Sequence, residues 1–198
     1  MKYYPIFLLI ALYSLILLLI EWQTSQSFVR QFFTDIGQYE ITGYAVNTTL
    51  SVFLLWATAL LFVISLSCVE KRTVEYWFFV SQIIMFVYLG CDERFLIHES
   101  IGKFLGRNDA YLLLGLGIVE VGLLIWLGNL RQKTQLARKF LYAAAVLFFI
   151  MVVIDAKFPK DMVLRLSLEE LTKLWADIFL FLFAWEIMQQ KIGNRITI

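Results

Sequence analysis

One short segment concentrates groups that could perform acid–base or metal chemistry. It reads Asp92-Glu-Arg-Phe-Leu-Ile-His-Glu99 and contains His98, the only histidine of the chain. If the segment is helical, Asp92 and Glu99 share one face, and Arg94 and His98 share another. A histidine with carboxylates in reach can bind Zn, Mn or Fe, so His98, Glu99 and Asp92 are candidate metal ligands. The same composition is typical of an interfacial ion-pair cluster, which is the more common arrangement.

Asp155 could complete this metal site from another part of the chain. It ends an apolar run and is followed by Ala-Lys157-Phe-Pro. If Asp155 faces the bundle, it joins His98 and Glu99 as a fourth candidate ligand. Beside Lys157 it can equally be a solvated or paired boundary residue. A divalent metal ion is the one cofactor that these residues suggest.

A second group of polar side chains lies in the sequence Ser-Leu-Glu-Glu-Leu-Thr-Lys-Leu-Trp-Ala-Asp, which ends at Asp177. Ser167 and Glu170 have the spacing of a capping box, which predicts the start of a helix. Glu169 and Lys173 have the favourable order for an i, i+4 ion pair. Glu170, Lys173 and Asp177 recur at helical spacing and form a polar stripe that runs inward. A helix cap alone does not require Asp177.

Glu120 and Asp177 interrupt stretches that are otherwise almost wholly apolar. At 1.5 Å per residue, they lie about 15 Å and about 13 Å from the predicted starts of their helices. Both are then near the middle of a hydrocarbon core about 30 Å thick, where a carboxylate must be paired, protonated or hydrated. If they face one cavity, they should share a proton or hold a cation such as the Lys173 ammonium. The alternative is a buried salt bridge or a hydrogen-bonded, protonated acid.

The composition predicts which secondary-structure elements position these groups. The 198 residues are 61% hydrophobic, with a mean hydropathy of +0.76 and only 2 prolines. This predicts an all-α, polytopic integral membrane bundle that forms a single transmembrane domain over residues 1–198. About six transmembrane helices are expected, at roughly 5–21, 48–67, 74–91, 110–128, 139–155 and 171–189.

Lysine and arginine are denser in the short segments around 71–72, 131–139 and 191–195 than in the longer loops. By the positive-inside rule, this predicts cytoplasmic N- and C-termini, and the expected location is a bacterial plasma (inner) membrane. Most acids then fall on or near the extracytoplasmic face: Asp35, Glu40, Asp92, Glu93, Glu99, Asp109, Asp155, Asp161, Glu169 and Glu170.

Several classes of function are excluded by what the sequence lacks. One histidine cannot supply bis-histidine haem ligation or a histidine-rich di-iron site, and there is no Gly-x-Ser-x-Gly or phosphate-binding glycine loop. A net charge of +1 carries no nucleic-acid signature. Glu169-Glu170 resembles the Glu-Glu-x-x-x-Arg motif of CAAX-type intramembrane proteases, but Leu174 replaces the arginine and the second histidine is missing. That match is therefore rejected.

Three hypotheses remain. The favoured one is an outward-facing acidic pocket that binds or transports a cation or small solute, with Glu120, Asp177, Lys173 and Glu170 as its intramembrane polar site. The second is a metal-dependent hydrolase acting at the outer face. The third is an accessory subunit of a larger membrane complex, in which the acids form salt bridges. The lipid bilayer is the expected partner, together with a membrane protein or a second copy of the chain.

Overall fold

The computed structural model describes residues 2–33, 45–106, 110–159 and 161–196. All regular structure in these ranges is helical. The helices are α1 (Tyr4–Gln23), α2 (Gln26–Phe33), α3 (Val46–Leu66), α4 (Val74–Phe95), α5 (Ile97–Leu105), α6 (Ala110–Leu127), α7 (Gln135–Lys157) and α8 (Arg165–Ile196), with a short 3-10 turn at Leu130–Gln132. The chain is therefore a helical bundle, as its composition predicts.

Five helices in the described residues are long and apolar enough to cross a membrane: α1, α3, α4, α6 and α7. The sixth predicted span lies within α8, which is long enough at 32 residues. Lys173, Asp177 and Glu186 make that stretch more charged than the other five. The count of six spans and the cytoplasmic termini stay predictions.

Local sequence signals account for several helix ends. The Thr73 hydroxyl accepts a hydrogen bond from the Tyr76 N–H (3.1 Å) at the start of α4. The Thr134 hydroxyl does the same for the Ala137 N–H (3.1 Å) at the start of α7. Gly106 ends α5 in the left-handed conformation, with φ at 62°.

Helix α8 lies at the centre of the bundle and packs against α7 and α3, and α3 in turn packs against α4. An aromatic core fills one half of this bundle. Phe62 of α3 lies about 6 Å, centroid to centroid, from four other rings, which include Phe86 (5.7 Å) and Phe183 (6.3 Å). The Phe62 ring is completely buried. This half of the bundle is therefore packed with aromatic side chains around Phe62.

A cluster of ion pairs ties the helices together beyond the aromatic core. Glu75 at the start of α4 contacts Lys133 before α7 (3.2 Å) and Lys191 near the end of α8 (2.6 Å). Lys2 contacts Glu186 (3.5 Å) close by in α8. We call this the basic end of the bundle, because it contains the lysine-rich segments that were predicted to be cytoplasmic.

Candidate functional site

The opposite end of the bundle encloses a cavity of about 490 Å³. Its walls come from the first turns of α3 and α8, the last turns of α4 and α7, and parts of α2, α5 and α6. Among the described residues that line it, seven carboxylates face three lysine or arginine side chains: Asp92, Glu93, Glu99, Asp155, Glu169, Glu170 and Asp177 against Arg30, Arg165 and Lys173. With His98 neutral, this acidic cavity has an excess of negative charge.

Asp177 lines the cavity from the third to fourth turn of α8 and is only 6% exposed. Its carboxylate accepts a hydrogen bond from the Ser51 hydroxyl of α3, which is fully buried. Among the described residues, no lysine or arginine nitrogen lies within ion-pair distance of it. The acid is therefore held by a neutral donor across the α3–α8 contact.

Lys173 lies one turn before Asp177 and binds two other carboxylates. Its Nζ is 2.9 Å from Glu93 of α4 and 2.8 Å from Glu170 of α8. The sequence predicted an ion pair between Glu169 and Lys173. This prediction is wrong, because the partner of Lys173 on α8 is Glu170. Lys173 does not pair directly with Asp177 either, because Glu93 approaches from the neighbouring helix.

Arg165, at the start of α8, forms a second cluster in which one cationic side chain contacts two carboxylates. It contacts Asp155 of α7 (2.8 Å) and Glu169 (3.0 Å), and its side chain is 8% exposed. Asp155 therefore serves as a partner that joins α7 to α8. It lines the same cavity as His98 and Glu99, but as part of an ion pair.

Asp92 and His98 bind each other directly. The two carboxylate oxygens of Asp92 contact the His98 Nδ1 (2.7 Å) and accept from the His98 backbone N–H (2.8 Å). This geometry depends on a break at Leu96, whose φ of 52° separates α4 from α5. The segment is therefore not one continuous helix, and the condition under which Asp92 and Glu99 would share a helix face is not met.

No group of three or more histidine, cysteine, aspartate or glutamate side chains in the described parts of the chain is arranged to hold a metal ion. Asp92 contacts His98, and Asp155 forms an ion pair with Arg165. Glu99 lies 3.3 Å from the exposed Lys103. The structure thus lends no support to the predicted ligand set, although its members share one cavity.

The start of α8 also differs from the predicted capping box. The helix begins at Arg165, two residues before Ser167, and the Ser167 hydroxyl has no hydrogen-bond partner. The Ser167 N–H instead donates to a carboxylate oxygen of Glu21 (3.2 Å), which comes from α1 and is only 4% exposed. Glu21 therefore caps α8 from a different helix, while Glu170 turns toward Lys173.

Glu120 is not among the residues that line the acidic cavity. It lies on α6 beside Gln82 of α4, and one of its oxygens is buried without a hydrogen-bond partner. The Gln82 amide is fully buried and equally unpartnered. Helix α6 packs mainly on α4 and α7, so the expected meeting of Glu120 with Asp177 does not occur.

Sequence reasoning missed Ser51, Glu93, Arg165 and Glu21 as members of the site. Glu93 stands next to the predicted Asp92, and Arg165 stands two residues before the predicted capping box. Ser51 carried the weakest signal, because a serine in an apolar helix usually bonds to its own backbone. Of the acids expected on this face, Asp35, Glu40 and Asp109 lie outside the described residues.

Comparison with known proteins gives one match. Residues 6–187 match a family model described as Domain of unknown function (DUF8692), so the chain belongs to this family. No curated protein matches the chain. No solved structure matches it either.

Proposed function

We propose that this member of the DUF8692 family is a membrane receptor for a small cationic solute, which binds in the acidic cavity with Asp177 as its counter-ion. The cavity would open toward the extracytoplasmic side, in line with the orientation predicted from lysine and arginine. The observation that carries the proposal is the buried Asp177 carboxylate, whose described hydrogen-bond partner is the neutral Ser51 hydroxyl. Burial of a carboxylate at such a position costs free energy unless a cation, a proton or water compensates its charge.

The cationic side chains of the cavity leave its negative charge largely uncompensated. Lys173 is shared by Glu93 and Glu170, and Arg165 is shared by Asp155 and Glu169. Each of these clusters has one more negative than positive charge. A bound cation near Asp177 would reduce this excess, and the low dielectric of a protein interior strengthens the attraction.

The size and lining of the cavity suit an organic solute better than a bare ion. A volume of about 490 Å³ falls in the range of small-molecule sites, which combine apolar walls with a few convergent polar groups. Apolar walls are supplied here by side chains such as Leu55, Leu89, Phe148 and Leu180. An ammonium group with short alkyl substituents matches both parts of this surface.

Binding is favoured over the other predicted functions. Transport needs a path to the basic end, and the aromatic core around Phe62 occupies that half of the bundle. Within the core, Thr58 and Ser65 bond back to the carbonyls of their own helix, and so they offer no polar route. Metal-dependent hydrolysis lacks a ligand set in the described residues. A role as an accessory subunit stays a prediction that co-purification would test.

The test uses the full chain in lipid nanodiscs and radiolabelled tetramethylammonium as the probe. We expect saturable binding that excess sodium at equal ionic strength does not abolish. Asp177→Asn keeps the size and the hydrogen-bonding capacity of the side chain but removes its charge. Affinity should fall at least roughly tenfold, because loss of a close charge in a buried site is worth more than about 1.4 kcal/mol.

Asp161→Asn is the matched control, because Asp161 is an exposed acid at the same end of the molecule and does not line the cavity. It should bind the probe as the parent protein does. Equal losses in both variants, or no loss in Asp177→Asn, would show that Asp177 is not the counter-ion.

A further inference from the structure

An apolar groove of about 240 Å³ runs along the outside of the bundle next to the acidic cavity. Its walls are Tyr88 of α4, Ile101 of α5, and Leu112, Leu116 and Val119 of α6. Gly115 forms part of the floor, and a Cβ built on it would meet no atom within 4 Å. The groove is thus open because a side chain is missing at this position.

The groove and the cavity have one lining residue in common, His98. Its imidazole, held by Asp92, therefore stands at the boundary between an apolar surface groove and an acidic interior. The groove and the cavity also approach each other at α6. Leu112 lines the groove, and the adjacent Leu113 lines the cavity. A molecule that passes His98 would contact both environments at once.

The groove lies partly on α6, a candidate membrane-spanning helix, so we expect it to face the hydrocarbon of the membrane. Helix α6 is the least buried of the five spanning-length helices, with 11% of its apolar window buried. Ile101, Gly115 and Val119 are themselves exposed. An apolar ligand can therefore reach the groove sideways from the bilayer and needs no passage through water.

We propose that the ligand is a single-chain cationic amphiphile, with its ammonium group in the acidic cavity and its alkyl chain in the groove beyond His98. This assignment rests on the proposed function, since the acidic cavity selects the charge of the head group. The groove favours a ligand with an alkyl chain, because burial of each methylene in an apolar site contributes favourably to binding. Charge complementarity distinguishes this occupant from an anionic or neutral lipid.

The experiment compares tetramethylammonium with butyl- and octyltrimethylammonium, each below its micellar concentration, on the full chain in nanodiscs. Affinity should rise by roughly fourfold for each methylene that enters the groove. Gly115→Leu should fill the groove without a clash and remove most of this gain with chain length. It should leave the affinity for tetramethylammonium unchanged, because Gly115 does not line the cavity.

Gly122→Leu is the matched control. Gly122 lies two turns along the same helix, and its Cβ position is equally open, yet it lines neither the groove nor the cavity. This variant also corrects for partition of the alkyl chain into the nanodisc lipid. It should show the same dependence on chain length as the parent protein.

The outcomes separate the two proposals. If tetramethylammonium binds through Asp177 but Gly115→Leu keeps the full gain with chain length, the tail does not occupy the groove and only this inference fails. If Asp177→Asn leaves the affinity of every probe unchanged, the cationic site itself is wrong. Equal binding of octyl sulfate would contradict the selection of a cationic head group.

Discussion

Two cationic side chains on α8 each hold a pair of carboxylates, and this sharing defines the chemistry of the cavity. Lys173 joins Glu93 to Glu170, and Arg165 joins Asp155 to Glu169. Breaking a buried ion pair by removal of one partner is costly, because the remaining charge stays desolvated. The same removal makes the cavity more negative. Fold stability and affinity for cations should therefore respond in opposite directions.

Lys173→Met tests this expectation. We expect a lower melting temperature, because Glu93 and Glu170 lose their shared partner. The affinity for tetramethylammonium should rise by roughly tenfold, since a unit charge a few ångströms away contributes on the order of 1–3 kcal/mol in a partly buried site. Lys157→Met is the control, because Lys157 is an exposed lysine at the end of α7 that does not line the cavity. A loss of affinity in Lys173→Met would contradict a cationic ligand.

At the scale of the helices, contacts between elements distant in sequence decide where α8 begins. The first turn of a helix leaves its N–H groups without partners, and a side-chain acceptor usually supplies one. Here Glu21 at the end of α1 accepts from the Ser167 N–H. The helix therefore begins at Arg165, two residues before the Ser167 cap that the sequence predicts, and Arg165 joins Glu169 and Glu170 in the cavity wall.

Glu21→Ala should loosen this end of α8 without affecting its other end. Loss of a capping acceptor costs about 1–2 kcal/mol, so amide hydrogen exchange in residues 165–169 should become faster. Exchange around residues 182–188 should stay unchanged. Gln23→Ala, at an exposed position of the same helix turn, provides the control. Uniform acceleration along α8 would point to global destabilisation and contradict a local cap.

For the molecule as a whole, the two ends of the bundle differ in structure. The acidic end is hollow, whereas the basic end is closed by the aromatic core and by ion pairs around Glu75. The side chain of Lys133 is only 5% exposed there, and burial lowers its pKa while Glu75 opposes that shift. The closed end holds α4, α7 and α8 together and gives the cavity a rigid base.

Glu75→Gln should lower stability by about 1–3 kcal/mol at pH 7, because it leaves the buried Lys133 ammonium without its carboxylate. The loss should shrink as the pH rises toward 10. The folded-state pKa of Lys133 lies below its ordinary value of 10.5, so the unfolded state binds more protons in this range and stability increases with pH. Melting temperatures at pH 7 and pH 10 measure this trend.

Glu70→Gln is the matched control, since Glu70 is an exposed acid at the same end. It should change the melting temperature little at either pH. A Glu75→Gln defect that grows between pH 7 and pH 10 would contradict the assignment to Lys133.

The sequence by itself determined the class of the protein and most of the polar residues that meet at one end. Apolar runs of about 20 residues impose helices in a bilayer, because backbone groups there must be satisfied internally. Acids such as Asp177 stand out against such runs, so they could be identified without coordinates. Their depth also follows from the rise per residue.

Only the tertiary structure decided which of these residues are partners. Asp177 meets Ser51, 126 positions away in sequence, because α3 and α8 pack side by side. Glu120 has a predicted depth similar to that of Asp177 but lies beside Gln82 of α4. Depth depends on position along a helix, whereas contact depends on helix rotation and on neighbouring helices. Those two quantities are set by packing throughout the bundle, and no local pattern in the chain encodes them.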